Sequence, residues 1–213
     1  SNTGYVLAGM IIAKETGKPY SDHLRRRIFE PMGMEDTWVG THEKFPLDRE
    51  ARGYMHADDD DNGQWDVSGA GDPKDGVWDS TEWFPLSGAN AAGDMISTPN
   101  DCVKFLNALF GGKILGKKQL WEMKDNLDSA AFPGSNTTHH GHGILGFTYD
   151  DLLIKGHLGQ IPGHTSVMGR DEKNCTTAML IQNSGAGDFE SFYLAGVNEP
   201  MASIFAEAAS ISK

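Results

Sequence analysis

The stretch from Gly146 to Asn183 most limits what this chain can fold into. "GFTYDDLLIKGH", "HTSVMGRD" and "NCTTAMLIQN" read as strands, each bounded by polar and turn-forming residues. The links between them, "GQIPG" and "DEKN", are tight turns. A parallel pair needs a crossover of a dozen residues or more, so these strands must run antiparallel. A helix, "YLAGVNEPMASIFAEAAS", follows, and Pro200 fixes its start near Asn198. A sheet has two faces, and one helix covers only part of them. Another layer must cover the rest.

The first half of the chain offers that layer. "SNTGYVLAGMIIAKETGKPY" repeats apolar residues at helical spacing, predicting a helix from Thr3 to Thr16 stopped by Gly17 and Pro19. Ser21 is the expected N-cap of a second helix, "DHLRRRIFE", halted by Pro31 and Gly33. From about Glu35 to Asn90 the chain is turn-rich and predicts irregular structure with small hairpins, "ARGYMH" being one strand-like piece. In "STPNDCVKFLNALFGG", Ser97 or Thr98 caps, Pro99 suits the first helical position, Asp101 favours the N-terminus, and Gly111-Gly112 ends the helix. "KKQLWEMKDNL" is a further short helix. The fold class expected is α+β. A helical region spans 1–135, with an irregular insert at about 35–90. An antiparallel sheet portion with its covering helix spans 136–213, and the two together form one incomplete domain.

Charge and composition narrow the partners. A formal net charge of −12 argues against nucleic acid and anionic membrane surfaces. No apolar run approaches a bilayer span. Cys102 and Cys175 are too few for a disulfide framework, though a single bridge stays open. Asp58, Asp60, Asn62 and Asp66, with Gly63 between, match the first half of a calcium loop, but Gly69 stands where the bidentate Glu belongs. An exposed acidic turn explains the same residues. His139, His140 and His142 put three imidazoles close together with no regular frame to aim them, and a surface loop is the simpler reading. No metal and no cofactor are expected.

Three ordered matches identify a resemblance. "SNTGYVLAGMIIAKETGKPYSDHLRRRIFEPMGMEDT" resembles the segment running from the Tyr-x-Asn motif of class C β-lactamase-like serine hydrolases, with Ser1-Asn2 as x-Asn. "AAGDMISTPNDCVKFLNALFGGKIL" resembles that family's Ser-Thr-x-x-Asp helix region. "GHLGQIPGHTS" resembles its His-x-Gly motif, on the strand edging the active site. The likeness runs from Ser1 to about Asn183. The group includes penicillin-binding D,D-peptidases and related esterases and amidases, and implies a β-lactamase/transpeptidase-like fold.

The resemblance also implies a site. Asn2 would hydrogen-bond a substrate amide or the activating Lys, and His157 would line the opposite wall. Gly159 would let the acyl part lie against the strand. The Gln160 N–H would be one of two oxyanion donors. Leu158 occupies a substrate-binding position where members that recognise a carboxylate carry Thr or Ser. Leu donates no hydrogen bond, which points to neutral esters or amides. Taken alone, Asn2 reads as a helix cap and His157 as a polar strand residue.

The family's Ser-x-x-Lys and the Tyr of Tyr-x-Asn would lie upstream of Ser1. The chain is therefore expected to be the C-terminal portion of a longer hydrolase, inactive alone. Its partners would be a small ester, amide or peptide-like substrate and the missing N-terminal segment, or a second copy of itself. Two other readings stand beside it. One is a pseudo-enzyme that keeps the cleft for binding. The other is an N-terminal nucleophile hydrolase in which Ser1 attacks. The residues leave localisation open, and the resemblance leans to the periplasm or secretion.

Overall fold

The computed structural model describes residues 1–56, 76–81, 85–125, 127–129, 137–149, 151–185 and 198–211. Helix α1 (Asn2–Thr16) starts at Ser1, whose hydroxyl accepts the Gly4 N–H, and ends at Gly17 with φ 68°. Helix α2 (Tyr20–Leu24) runs on into a π-helical turn, Arg25–Phe29. Ser21 does not cap it. The break comes earlier, at the extended Pro19, and Ser21 lies buried inside the first turn. Among the described residues of the stretch from about 35 to 90, the short strands β1 (Trp38–Val39), β2 (Tyr54–His56) and β3 (Val77–Asp79) stand among 3-10 turns, before β4 (Met95–Ile96) closes on β1. The calcium-loop residues Asp58, Asp60, Asn62 and Asp66 lie outside the described residues.

Helix α3 (Pro99–Phe110) follows the sequence signals closely. The Thr98 hydroxyl accepts the Asp101 N–H, and Pro99 opens the helix. After α4 (Lys117–Lys124) come β5 (Asp128–Ser129), β6 (Thr137–His140), β7 (Leu145–Tyr149), β8 (Leu152–Ile161), β9 (His164–Asp171), β10 (Thr176–Gln182) and β11 (Ser184–Gly185), then α5 (Asn198–Ile211). The main sheet has the order β10-β9-β8-β7-β6-β5, antiparallel throughout. "GFTYDDLLIKGH" is two strands, broken between Tyr149 and Leu152 where the sequence places a pair of aspartates. The "GQIPG" turn shrinks to Pro162-Gly163, with Gly163 at φ 79°.

Alternation along β9 assigns the two faces. Thr165, Val167, Gly169 and Asp171 are buried, and the residues between them are half-buried. Val167, Phe147 and Ile154 pack with Met201 and Phe205 of α5 into a fully buried core. On the opposite face, Asn107 of α3 accepts hydrogen bonds from Arg170 (2.7 Å) and from the Thr177 hydroxyl (2.8 Å). Helix α3 thus covers part of that face.

The helical half is tied together by two buried acids. The Tyr20 hydroxyl donates to Asp94 at 2.6 Å. Burial and the Asp94 carboxylate push the Tyr20 phenol far above its ordinary range. Asp101 accepts from the Asp36 N–H (2.8 Å), the Thr37 hydroxyl (3.0 Å) and Lys104 (2.8 Å), pinning the "GMEDT" turn to α3. Asp101 is 2% exposed, and truncation leaves the Asp36 N–H without its acceptor while Thr37 and Lys104 fall back on Ser97 and the Gly33 carbonyl. Asp101→Ala is expected to cost about 3 kcal/mol, read as a lower urea midpoint at unchanged slope.

Helix α1 differs from the others. It is apolar on every side, and its single buried residue is Gly9, against Ala91 and Tyr20. Tyr5 (47%), Leu7 (51%), Met10 (61%) and Ile11 (59%) are exposed.

Candidate active site

Strand β8 carries His157, Leu158, Gly159 and Gln160, all half-buried, and β9 pairs with it as far as Ile161. On the other side the β7 register stops at the Leu145–Gly156 pair. Residues 157–161 therefore extend past the last strand pair on that side. The two-residue loop closes on Ile161 and His164, a hydrogen-bonded pair in such hairpins. Alternation then turns the backbone groups of Gly159 toward β9 and those of Leu158 and Gln160 toward the β7 side. An extended acyl group laid on that side would meet Gln160 as a strand meets a strand.

The side chains divide between the faces. His157 and Gly159 share the α3 side of the sheet with Met168 and Ser166, their partners on β9. A Cβ on Gly159 would stand 2.5 Å from the Ser166 hydroxyl oxygen, so the space above this residue is already taken on the sheet itself. Leu158 points the other way, packing against the core beneath α5. Its apolar character thus has a packing reason.

The His157 ring has a defined tautomer when neutral. Nδ1 lies 2.6 Å from the Leu158 carbonyl oxygen. A carbonyl only accepts, so Nδ1 carries the proton and Nε2 keeps its lone pair. Asn2 is the first residue of α1 and exposed; the cap is Ser1. The Tyr5 hydroxyl stands 3.0 Å from where a Gly143 Cβ would be, and two residues on, Leu145 pairs with Gly156. The Tyr5 side chain thus reaches the turn that leads into β7, the strand paired with β8.

An ion cluster ties β8 to the end of α4 and to the β9–β10 turn. Lys155 bonds Asp125 (2.5 Å) and Glu172 (2.9 Å), and Lys124 bonds the same two carboxylates at 2.8 and 2.7 Å. Burial alone would raise both carboxyls, but the bonds and charges of the two lysines outweigh it and hold them below the usual carboxylate range. Burial likewise opposes the Lys124 charge, and its carboxylate partners hold that ammonium above its ordinary value. Depressed carboxyls stabilise above their unfolded values of about 4. That contribution is lost as pH falls through the lower folded values. Acid melting is expected to begin below about pH 4, and Glu172→Gln should flatten the slope there.

At the tip of the β8–β9 hairpin lies a cleft of about 730 Å3. Phe45, Leu47, Leu86 and Ile161 line it with Glu50 and His164. Elsewhere, His139, His140 and His142 fall on β6 and the turn after it. Among the described residues no three of His, Cys, Asp and Glu converge as a metal site. Cys102 and Cys175 are both free thiols, which closes the possibility of a single bridge. No helix among the described residues is long and apolar enough to cross a membrane.

Residues 1–196 match the family model described as Beta-lactamase. The chain belongs to the beta-lactamase family. Its resemblance to class C β-lactamase-like serine hydrolases is thereby shown, and its α+β arrangement is part of the β-lactamase/transpeptidase-like fold. This beta-lactamase-family chain is 73% identical to D-amino acid amidase from Ochrobactrum anthropi SV3, in a crystal structure complexed with L-phenylalanine. The match covers 100% of this chain and 59% of that one, with a TM-score of 0.93. A D-stereospecific amidohydrolase from Streptomyces sp. is 28% identical, with a TM-score of 0.70 over 92% of this chain and 55% of its own. Penicillin-binding protein 4* of Bacillus subtilis (strain 168) is 27% identical over 186 residues, 86% of this chain and 39% of that protein. The chain thus spans well under two thirds of these relatives.

Two features escaped the sequence reading. Ser210-Ile211-Ser212-Lys213 spells Ser-x-x-Lys, but Ser210 sits at the end of α5, beneath the sheet face opposite His157, and its hydroxyl donates to the Glu207 carbonyl at 2.7 Å. Residues 212–213 lie outside the described residues. Glu50 reaches the cleft with no motif to announce it.

Proposed function

We propose that this chain is the C-terminal portion of a serine amidase that cleaves amides of D-amino acids by acyl transfer. The identity of 73% along the whole chain to a D-amino acid amidase carries this reading. The nucleophilic Ser, its Lys and the Tyr belong to sequence outside this chain. Asn2 hydrogen-bonds the substrate amide or that Lys. His157 presents Nε2 to the proton network, and the Gln160 N–H receives the oxyanion on the β7 side of β8. Attack on the amide carbon forms an acyl-enzyme and releases ammonia. Water then releases the D-amino acid.

The test compares the complete protein with this chain alone. The complete protein is expected to release ammonia from D-phenylalanine amide and to leave nitrocefin untouched. This chain alone should do neither. Nitrocefin turnover by the complete protein without amide turnover would overturn the substrate reading. A stoichiometric acyl adduct on Ser1 of the isolated chain would overturn the division of labour.

A further inference from the structure

The cleft at the β8–β9 tip differs chemically from the strand edge it adjoins. Phe45, Leu47, Leu86 and Ile161 make it partly apolar, and its charged groups are unequally committed. Arg52 is engaged by Asp79, with Nε to Oδ2 at 2.6 Å. His164 donates Nε2–H to the Ala51 carbonyl at 3.0 Å. Asp48 is exposed, whereas Glu50 is half-buried and, among the described residues, its carboxylate forms no hydrogen bond or ion pair. Burial raises the Glu50 carboxyl, against the opposing charge of His164. A half-buried carboxylate facing a cleft is costly unless a cation fills its site.

The cleft also lies close to the proposed chemistry. Its wall residue Ile161 directly follows Gln160, and His164 is the strand partner of Ile161. Resting on the amidase reading, we propose that Glu50 receives the α-ammonium of the substrate, with the apolar wall of the same cleft beside the substrate's side chain. An amino-acid amide is a monocation below its amine titration, so a site for it needs one carboxylate and no cationic clamp. Hydrolysis converts the neutral amide into a second charged group. The product carboxylate meets repulsion from Glu50. The site therefore holds substrate better than product.

The experiment uses the complete protein and two probes. One is D-phenylalanine amide. The other is 3-phenylpropanamide, which keeps the ring and amide but lacks the ammonium, used as a competitive inhibitor. Glu50→Gln is expected to lower kcat/KM for D-phenylalanine amide about 10- to 100-fold, the scale of a charge-assisted hydrogen bond. The inhibition constant of 3-phenylpropanamide should move less than about 3-fold, and Glu50→Asp should recover part of the loss. Equal losses for both probes, or no loss for either, would overturn the assignment while leaving the amidase reading intact. A wild-type protein that turns over no amino-acid amide would overturn both.

Discussion

In the complete protein, His157→Ala is expected to lower kcat/KM for D-phenylalanine amide by about 10²- to 10⁴-fold, the range for removing a positioned proton-transfer group. Folding should be little affected. The ring is half-buried and, among the described residues, its hydrogen bond is to the neighbouring carbonyl and it makes no ion pair with α3. The loss should fall mainly on kcat, because a group acting on protons is needed most in the transition state. His157→Gln keeps a donor for the Leu158 carbonyl and an acceptor beyond it. It should recover hydrogen bonding without proton transfer, and so sit between Ala and wild type. If His157→Ala retains activity within about threefold, then the third motif is only a strand and the site lies elsewhere.

The way these residues became legible is uneven. The β9 and β10 strands, the α3 cap at Thr98 and the α5 start at Asn198 follow from local chemistry, and the structure keeps them within a residue or two. Ser21 misled because a good capping residue stood beside Pro19, whose fixed backbone set the break first. The β7–β8 break was hidden in one apolar-rich run. Its consequence, a β8 edge continuing past Gly156, is a matter of register between strands. Where β7 ends against β8 is set by the turn at Tyr149–Leu152 and by β7's length, which hydrophobic periodicity within one run does not show. Glu50 was illegible for a deeper reason. Its environment is set by His164 and Ile161, more than half the chain away, through a hairpin tip that only the tertiary fold brings beside the insert. The resemblance found Asn2, His157, Gly159 and Gln160 by motif, but the tautomer of His157 and the core-facing direction of Leu158 needed coordinates.

This chain purified alone is expected to self-associate, and to bind the upstream segment of the same protein when that is supplied in trans. Helix α1 shows why. A helix apolar on all sides belongs inside a protein, yet Leu7, Met10 and Ile11 are more than half exposed here. A second unfinished surface is β10, whose described strand partner is β9 alone. Its outer edge can template another strand. Each ~100 Å2 of apolar surface removed from water contributes about 2.5 kcal/mol, before the entropic cost of association. Covering the α1 face and the β10 edge together can therefore exceed that cost. Self-association should be concentration-dependent, and the double substitution Met10→Glu, Ile11→Lys should abolish it without unfolding the sheet. The upstream segment should compete with self-association, because both use the same surfaces. Where that segment brings its Ser-x-x-Lys and Tyr, amide hydrolysis should return and should require His157. Sedimentation showing a stable monomer with no affinity for the segment would mean that α1 tolerates water as it stands. Activity that returns and survives His157→Ala would leave the association argument intact and remove His157 from the site.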